Sequence, residues 1–282
     1  MTVSANAKVN FTLEVFGKRA DGYHALRSVV MPITLSDTLD IEMTDDGEIT
    51  SDTGYDDDLC VKAAKVLRNV RMFECSNVRM PGARIWVAKR IPAGGGLGGG
   101  SADAAAVLRA LNELWEVGLS REELAEIGAQ VGSDVPALVL GGPVIMEGRG
   151  EKVSPLFTFT SHLHLVLVNP GVHSSTKDVY AACEVRPLGG ENLTARMFEA
   201  LRAGNLDQIA ATLMNDLQVP AVKQHPEIAD ALVSLRTAGV LGALMSGSGS
   251  SVFGIVENES EARRISSEMN ARGYKAWSVQ TL

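Results

Sequence analysis

The chain has 282 residues, 45% of them hydrophobic and 21% charged, and a formal net charge of −8. That composition belongs to a folded globular protein with room for one large domain or two ordinary ones, and its acidic balance speaks against nucleic acid as a partner. Three cysteines, Cys60, Cys75 and Cys183, stand apart with no CxxC pair, which fits a reducing compartment better than a disulfide framework. The opening MTVSANAKVN lacks the apolar core of a signal peptide. The longest apolar stretch, Val135 to Met146, is too short for a bilayer and is broken by Gly141, Gly142 and Pro143. A soluble, cytoplasmic protein with no membrane partner is expected.

From the start of the chain, Val3, Ala5, Ala7, Val9, Phe11, Leu13 and Val15 alternate with Ser4, Asn6, Lys8, Asn10, Thr12 and Glu14. Period two predicts a half-buried strand. After the turn-rich GKRADGYH, strand-like pieces follow at 26–33, 38–43 and 48–51, and the acid-crowded stretch 45–58 reads as a solvated loop. Asp58 stands where it would cap a helix over 59–70, and a strand over 83–91 leads into glycines. Helices are predicted over 101–115 and 120–131, the second opening on a Ser120–Glu123 capping box. Composition shifts near residue 150, at EGRGEKVSPL. Beyond it the strand SHLHLVLV and pieces at 242–245, 252–256 and 275–279 alternate with helical patterns over 176–183, 192–202, 206–214, 226–237 and 260–270. His162 and His164 share one face of the first of these strands, but two ligands do not make a metal site. The reading is α+β in two lobes, divided near residue 155.

Residues 92 to 102, PAGGGLGGGSA, place six glycines directly against a helix start. Glycine is costly in and beside helices, so something must approach this backbone too closely for side chains. Unpaired N–H groups at the positive end of a helix dipole bind phosphate, and a polyphosphate is the expected guest; the plainer alternatives are a hinge or a tight helix–sheet contact. No Lys follows as in a Walker A loop, and the preceding strands are not those of a dinucleotide-binding unit.

PAGGGLGGGSADAA resembles the central motif of the GHMP kinases (galactokinase, homoserine kinase, mevalonate kinase, phosphomevalonate kinase), and ALMSGSGSSVFGIV, from Ala243 to Val256, resembles their third, C-terminal glycine motif. More narrowly, ANAKVN, KRADGYHAL, VGSDVPALV, NPGVHSSTKDVY and Asn215-Asp216-Leu217 resemble blocks of the family that phosphorylates 4-diphosphocytidyl-2-C-methyl-D-erythritol, and they run from end to end of the chain. The resemblance implies a two-lobed α+β GHMP kinase fold. Residues 1–155 would form an N-terminal lobe like the second domain of ribosomal protein S5, with the ATP loop and catalytic pair; 156–282 would form a ferredoxin-like C-terminal lobe. It implies ATP-dependent phosphorylation of the 2-hydroxyl of a small, cytidine-diphosphate-linked polyol in the non-mevalonate isoprenoid pathway.

By the same resemblance, Lys8 and Asp134 match the catalytic pair. Asn10, Tyr23, His24, Thr176 and Tyr180 match substrate contacts, Tyr23 and His24 at the cytosine and Tyr180 sandwiching it. Lys89 with Pro92, Ala93, Gly94, Gly95, Gly96, Leu97, Gly98, Gly99, Gly100, Ser101 and Ala102 match the ATP site. ATP implies Mg²⁺; Ser101 is a ligand by analogy, and the metal's other ligands are left open. Two positions depart from the family pattern: Asp58 stands for an asparagine near adenine, and Ser175 for a proline before Thr176.

On their own the residues leave alternatives open. Lys8 is the one cation on the polar face of the first strand, suited to an anionic or hydroxyl-bearing ligand, or a surface lysine on an edge strand. Asp134 is a helix N-cap or a general base orienting a hydroxyl. Tyr23-His24 suits a pyrimidine, which wants an aromatic face beside a hydrogen-bonding group, or simply packs. The function alternatives are a homoserine- or mevalonate-type kinase and a non-catalytic S5-like module that binds RNA. Oligomeric state is not legible.

Overall fold

The structure is a computed structural model and describes residues 1–74, 81–156, 162–187 and 191–282; Cys75 lies outside the described residues. In chain order it contains β1 (Thr2–Lys18), β2 (His24–Thr44), β3 (Ile49–Ser51), α1 (Leu59–Glu74), β4 (Gly82–Ala88), α2 (Gly99–Leu114), α3 (Arg121–Gly128) and α4 (Val135–Leu140). There follow β5 (Val144–Gly148), β6 (Lys152–Pro155), β7 (His164–Asn169), α5 (Thr176–Ala181), α6 (Leu193–Ala203), α7 (Leu206–Thr212), β8 (Met214–Asn215), α8 (Gln218–Gln224), α9 (Pro226–Thr237), β9 (Gly242–Met245), β10 (Val252–Val256), α10 (Glu259–Ala271) and β11 (Lys275–Gln280). Four elements were not legible beforehand: β5 and β6, the two-residue β8, and α8, whose Pro220 and short length hide its period. The two strand pieces after the turn are one continuous strand, β2, and the Gly- and Pro-bearing stretch near residue 150 forms the β5–β6 hairpin. No helix among the described residues is long and apolar enough to cross a membrane.

The chain folds into two compact units that are not contiguous in sequence. The first comprises Met1–Ala7, Ser36–Ile91 and Gly98–Gly141. In it β2 pairs antiparallel with β4, Thr38 opposite Ala88 through Thr44 opposite Gly82, and β4 pairs parallel with β3. Leu39 and Ile41 of β2, Ile85 of β4, Leu67 of α1 and Leu108 and Leu111 of α2 are fully buried in it. The α2 sequence SADAAAVLRAL explains the fit: small alanines at 102, 104, 105, 106 and 110 leave the helix slim and buried. The predicted capping box of α3 is present, with the Ser120 hydroxyl accepting from the Glu123 N–H and the Glu123 carboxylate from the Ser120 N–H.

The second unit comprises Lys8–Leu35, Pro92–Leu97 and Gly142–Leu282. Here β5 pairs antiparallel with β2, and β8 runs parallel to β1 with Thr12 opposite Met214. A separate antiparallel sheet has the order β11-β7-β10-β9. Its central strands β7 and β10 are nearly continuous apolar runs because they are buried almost throughout: all five residues of β10 are buried, and Val166, Val168, Ile228, Leu232, Met245, Ile265 and Met269 share one core. The Phe11 ring stacks on Phe253 at 5.5 Å between centroids.

β1 departs from expectation. The alternation predicts one solvated face, yet every residue from Ala7 to Val15 is buried, including Lys8, Asn10, Thr12 and Glu14. Glu14 is a buried anion held by Arg27 at 3.0 Å and by the Thr194 N–H at the start of α6. Burial alone would raise its pKa, but those hydrogen bonds and the Arg27 charge outweigh burial and hold the carboxyl below its ordinary value.

Asp58 begins α1 as the spacing predicted. Its carboxylate accepts from the Cys60 N–H at 2.7 Å and from the Thr53 hydroxyl at 2.7 Å. Burial raises its pKa, and the bonds from Thr53, Ser51 and the helix N–H groups outweigh that and lower it. An amide oxygen caps as well as a carboxylate. Asp58→Ala is therefore expected to cost about 1 kcal/mol in urea unfolding, and Asp58→Asn only a few tenths.

Candidate active site

The glycine loop is shaped by where its carbonyls go. Within the second unit, the Gly95 carbonyl accepts from the Ser251 N–H (3.1 Å), the Gly96 carbonyl from Lys8 Nζ (3.0 Å) and the Ser246 hydroxyl (2.9 Å), and the Leu97 carbonyl from the Lys8 N–H (3.0 Å). In the first unit, the Gly98 carbonyl accepts from the Ala102 N–H at 2.8 Å. Among the described residues no carbonyl or side chain takes the N–H groups of Gly94–Leu97 in the one unit or of Gly98–Gly100 in the other. Backbone φ is positive at alternate positions, +65° at Gly94, +72° at Gly96 and +69° at Gly98, the alternation from which anion-binding backbone concavities are made.

The glycines themselves answer to two demands. A Cβ on Gly94 would stand 2.0 Å from His173 Nδ1, one on Gly95 2.7 Å from Ser251 Oγ and one on Gly96 2.1 Å from the Ser246 carbonyl oxygen. Protein, and not only a guest, excludes side chains at these three positions. At Gly100 the nearest atom would be Leu59 Cδ1 at an ordinary 3.6 Å, so packing does not require glycine there.

Lys8 and Asn10, neighbours on the polar face of β1, are 4% and 1% exposed. Lys8 Nζ donates to Asn10 Oδ1 at 2.7 Å as well as to Gly96. The edge-strand reading of Lys8 fails: β1 lies between β2 and β8, and the ammonium is buried. In the C-terminal glycine motif, Asn215 Nδ2 holds the Met245 and Gly247 carbonyls at 2.8 Å each, and Asn169 Nδ2 donates to Ser251 Oγ.

The other predicted contacts of the second unit fall in two groups. His24 lies beside Tyr180, ring centroids 5.7 Å apart and tilted 34°. His24 Nδ1 donates to the Phe16 carbonyl at 3.1 Å; since a carbonyl only accepts, the neutral ring keeps its lone pair on Nε2. Tyr23 is more than half exposed, with the Arg149 guanidinium 5.4 Å from its ring centroid. Thr176 Oγ1 is hydrogen-bonded to Ser248 Oγ at 2.8 Å, and Ser175 caps α5 by accepting from the Asp178 N–H. The serine that stands for proline thus has its own way of starting this helix.

Asp134, Lys89 and Ser101 belong to the first unit. Asp134 occupies the N-cap position of α4, but its side chain makes no capping hydrogen bond and its backbone is already helical. Lys89 Nζ sits between two buried carboxylates, 2.5 Å from Asp37 Oδ2 and 2.6 Å from Asp103 Oδ2. Asp37 Oδ1 also accepts from the Arg90 and Ile91 N–H groups, gripping the strand end that leads into the loop. Burial, with the charge of Asp37 behind it, pushes the Asp103 carboxyl well above its ordinary value despite Lys89. Burial lowers the Lys89 pKa, and the two carboxylates outweigh that and raise it. Ser101 stands in the first turn of α2. Among the described residues no three His, Cys, Asp or Glu side chains are grouped to hold a metal.

The sequence matches the GHMP kinases N terminal domain over residues 58–142 and the GHMP kinases C terminal family over 197–275. It is 39% identical to the 4-diphosphocytidyl-2-C-methyl-D-erythritol kinase of Citrifermentans bemidjiense, covering 99% of this chain and 98% of that one, and 42% identical to that of Pelotomaculum thermopropionicum, covering 94% and 92%. A crystal structure of 4-(cytidine 5′-diphospho)-2C-methyl-D-erythritol kinase, 34% identical, matches with a TM-score of 0.82 over 100% of this chain and 99% of that one. The chain belongs to the 4-diphosphocytidyl-2-C-methyl-D-erythritol kinase family of the GHMP kinases. It has their α+β fold and is a small-molecule kinase that takes its phosphoryl group from ATP. The RNA-binding module falls away.

Several residues of this GHMP kinase site were missed by the sequence. Asp103 lay inside the glycine motif and Ser246 and Ser251 inside the C-terminal one, so proximity to a motif was a usable signal. Asn169 opened the block NPGVHSSTKDVY and carried the same signal, whereas Asp37 carried none. The two demands on the loop glycines separate by mutation. Gly96→Ala is expected to lower unfolding stability by about 2 kcal/mol or more through a positive φ and a backbone clash, whereas Gly100→Ala stays within about 0.5 kcal/mol; paired denaturation curves give both.

Proposed function

We propose that this kinase transfers the γ-phosphoryl group of ATP to the 2-hydroxyl of 4-diphosphocytidyl-2-C-methyl-D-erythritol, in the cytoplasm, as a step of non-mevalonate isoprenoid synthesis. The observation that carries the substrate is the His24–Tyr180 pair. An aromatic ring suits one face of a pyrimidine, and His24 Nε2, left as an acceptor by the Phe16 carbonyl, matches the exocyclic amino donor of cytosine. Tyr23, exposed beside these residues in sequence, is assigned to the same base, and Thr176 to the polyol diphosphate.

On the ATP side, the loop from Pro92 to Ala102 turns carbonyls into protein and leaves amides for phosphate oxygens, with Lys89 beside its entry. The Ser101 hydroxyl is an oxygen donor that would suit a hard cation such as Mg²⁺, which would supply charge neutralisation when bound with the nucleotide. Lys8 and Asn10 hold the acceptor hydroxyl's surroundings rigid. Asp134, which matches the family's catalytic acid–base position, takes the hydroxyl proton as the new O–P bond forms and the bond to the ADP oxygen breaks. A boundary near residue 155 is proposed for the two family domains, supported by matches that end at 142 and begin at 197. No nucleic-acid or membrane partner is invoked.

Incubation with ATP, Mg²⁺ and a panel of alcohols, read by mass spectrometry, is expected to show one added phosphate on the diphosphocytidyl substrate and none on mevalonate or homoserine; comparable turnover of mevalonate would refute the assignment. Asp134→Asn keeps the fold and ATP affinity while kcat drops about 10²- to 10⁴-fold, the usual loss for a general base. Retention of more than about a third of kcat removes Asp134 from the chemistry.

A further inference from the structure

Asn10 presents two chemically different edges, and at ordinary precision an amide is oriented by its neighbours alone. One edge faces Lys8 Nζ at 2.7 Å and the other faces Ser28 Oγ at 2.8 Å. Ser28 is fully buried on β2, and its hydroxyl is also bonded to the Thr12 carbonyl of β1. That carbonyl can only accept, so it consumes the single Ser28 proton. Ser28 must then accept from Asn10, which places Nδ2 toward Ser28 and Oδ1 toward Lys8. The reversed amide would set an oxygen against a hydroxyl with no proton left and an NH₂ against an ammonium, two buried mismatches at once.

The support for Ser28 continues along the strand. Thr12 Oγ1 accepts from the Val29 N–H, one residue after Ser28, and is bonded to Thr194 Oγ1 at 2.9 Å. The donor–acceptor sense of this buried chain is thus pinned by the Thr12 backbone carbonyl and cannot reverse cheaply.

We propose that Ser28 is a positioning residue for phosphoryl transfer: its hydroxyl fixes the Asn10 amide so that Oδ1 holds the Lys8 ammonium. The proposal rests on the kinase reading above, in which Lys8 and Asn10 flank the reacting hydroxyl. Ser28 touches no reacting atom. It acts by keeping the Lys8 ammonium where Gly96 and Asn10 together place it. Nothing in the pattern RSVVMPI singled it out, since a serine within an apolar strand reads as filler.

Two measurements test this. In wild-type protein carrying isotopically labelled asparagine, nuclear Overhauser contacts from the Asn10 Nδ2 protons are expected to reach the Ser28 Cβ protons; contacts to the Lys8 Cε protons instead overturn the proposal. In kinetics with ATP, Mg²⁺ and the diphosphocytidyl substrate, Ser28→Ala is expected to lose about tenfold in kcat, the size of one buried hydrogen bond left unmade. The KM for ATP holds while the melting temperature falls by several degrees, the cost of the same buried bonds, and Ser28→Thr recovers most of the rate by keeping the hydroxyl. Wild-type kcat in Ser28→Ala, or a loss that Ser28→Thr fails to relieve, overturns it. If Ser28→Ala does not fold, the Overhauser contacts decide. A wild-type protein inactive on this substrate would sink the functional reading, and the amide orientation would still stand or fall on those contacts.

Discussion

A lysine ammonium buried at 4% exposure is the constraint from which most of the second unit follows. Taking such a charge out of water costs several kcal/mol unless acceptors surround it. Asn10 supplies one and the Gly96 carbonyl another. For that carbonyl to reach Lys8, the loop must run closely against the C-terminal glycine motif, where the Ser246 hydroxyl shares the same oxygen and no Cβ fits. From Lys8 to Glu14 the polar face of β1 then has to be satisfied without water. Ser28, Thr194 and Arg27 do so for Asn10, Thr12 and Glu14 in turn.

The same arrangement prepares the loop for its ligand. Each carbonyl committed to protein fixes its peptide plane, and among the described residues no hydrogen bond is made by the N–H groups of Gly96–Gly100. A phosphate chain offers many acceptors and no donors, so it is the complement of such a surface. The glycines are therefore not all alike in purpose. Those at 94 to 96 make room for His173, Ser251 and the Ser246 backbone, whereas at Gly100 the protein itself leaves room for a side chain. In the first unit the loop's entry is held by Asp37, which binds two N–H groups and one ammonium. Lys89 is thereby a shared partner of two buried carboxylates, which makes it a clamp on the strand end that leads into the loop.

Around His24 and Thr176 the interactions are weaker and set by geometry. One carbonyl chooses the tautomer of a neutral His24 ring, and that choice leaves Nε2 as an acceptor. Ser175 and Thr176 show how a departure from a family pattern is absorbed. A proline would have stiffened the approach to α5; serine instead caps the helix, and Thr176 is tied to Ser248. The start of α5 is thus tethered to the C-terminal glycine motif through a side chain.

What the sequence determined by itself was local. Six crowded glycines, the Ser120–Glu123 box, the Asp58 cap and the period-two run of β1 all depend on residues a few positions apart, whose mutual geometry the backbone dictates. The family blocks added the site residues Lys8, Asn10, His24 and Tyr180, and the fold holds Lys8 with Asn10 and His24 with Tyr180. Only tertiary structure decided that the polar face of β1 is buried, because solvent exposure depends on what packs there: Thr12 meets Thr194 across 182 positions. It alone joined Lys89 to Asp37, 52 residues away, and Asn10 to Ser28, 18 away. Hydrogen-bond partners at such separations leave no periodicity in the chain, since each is a single residue whose neighbours answer to other parts of the fold.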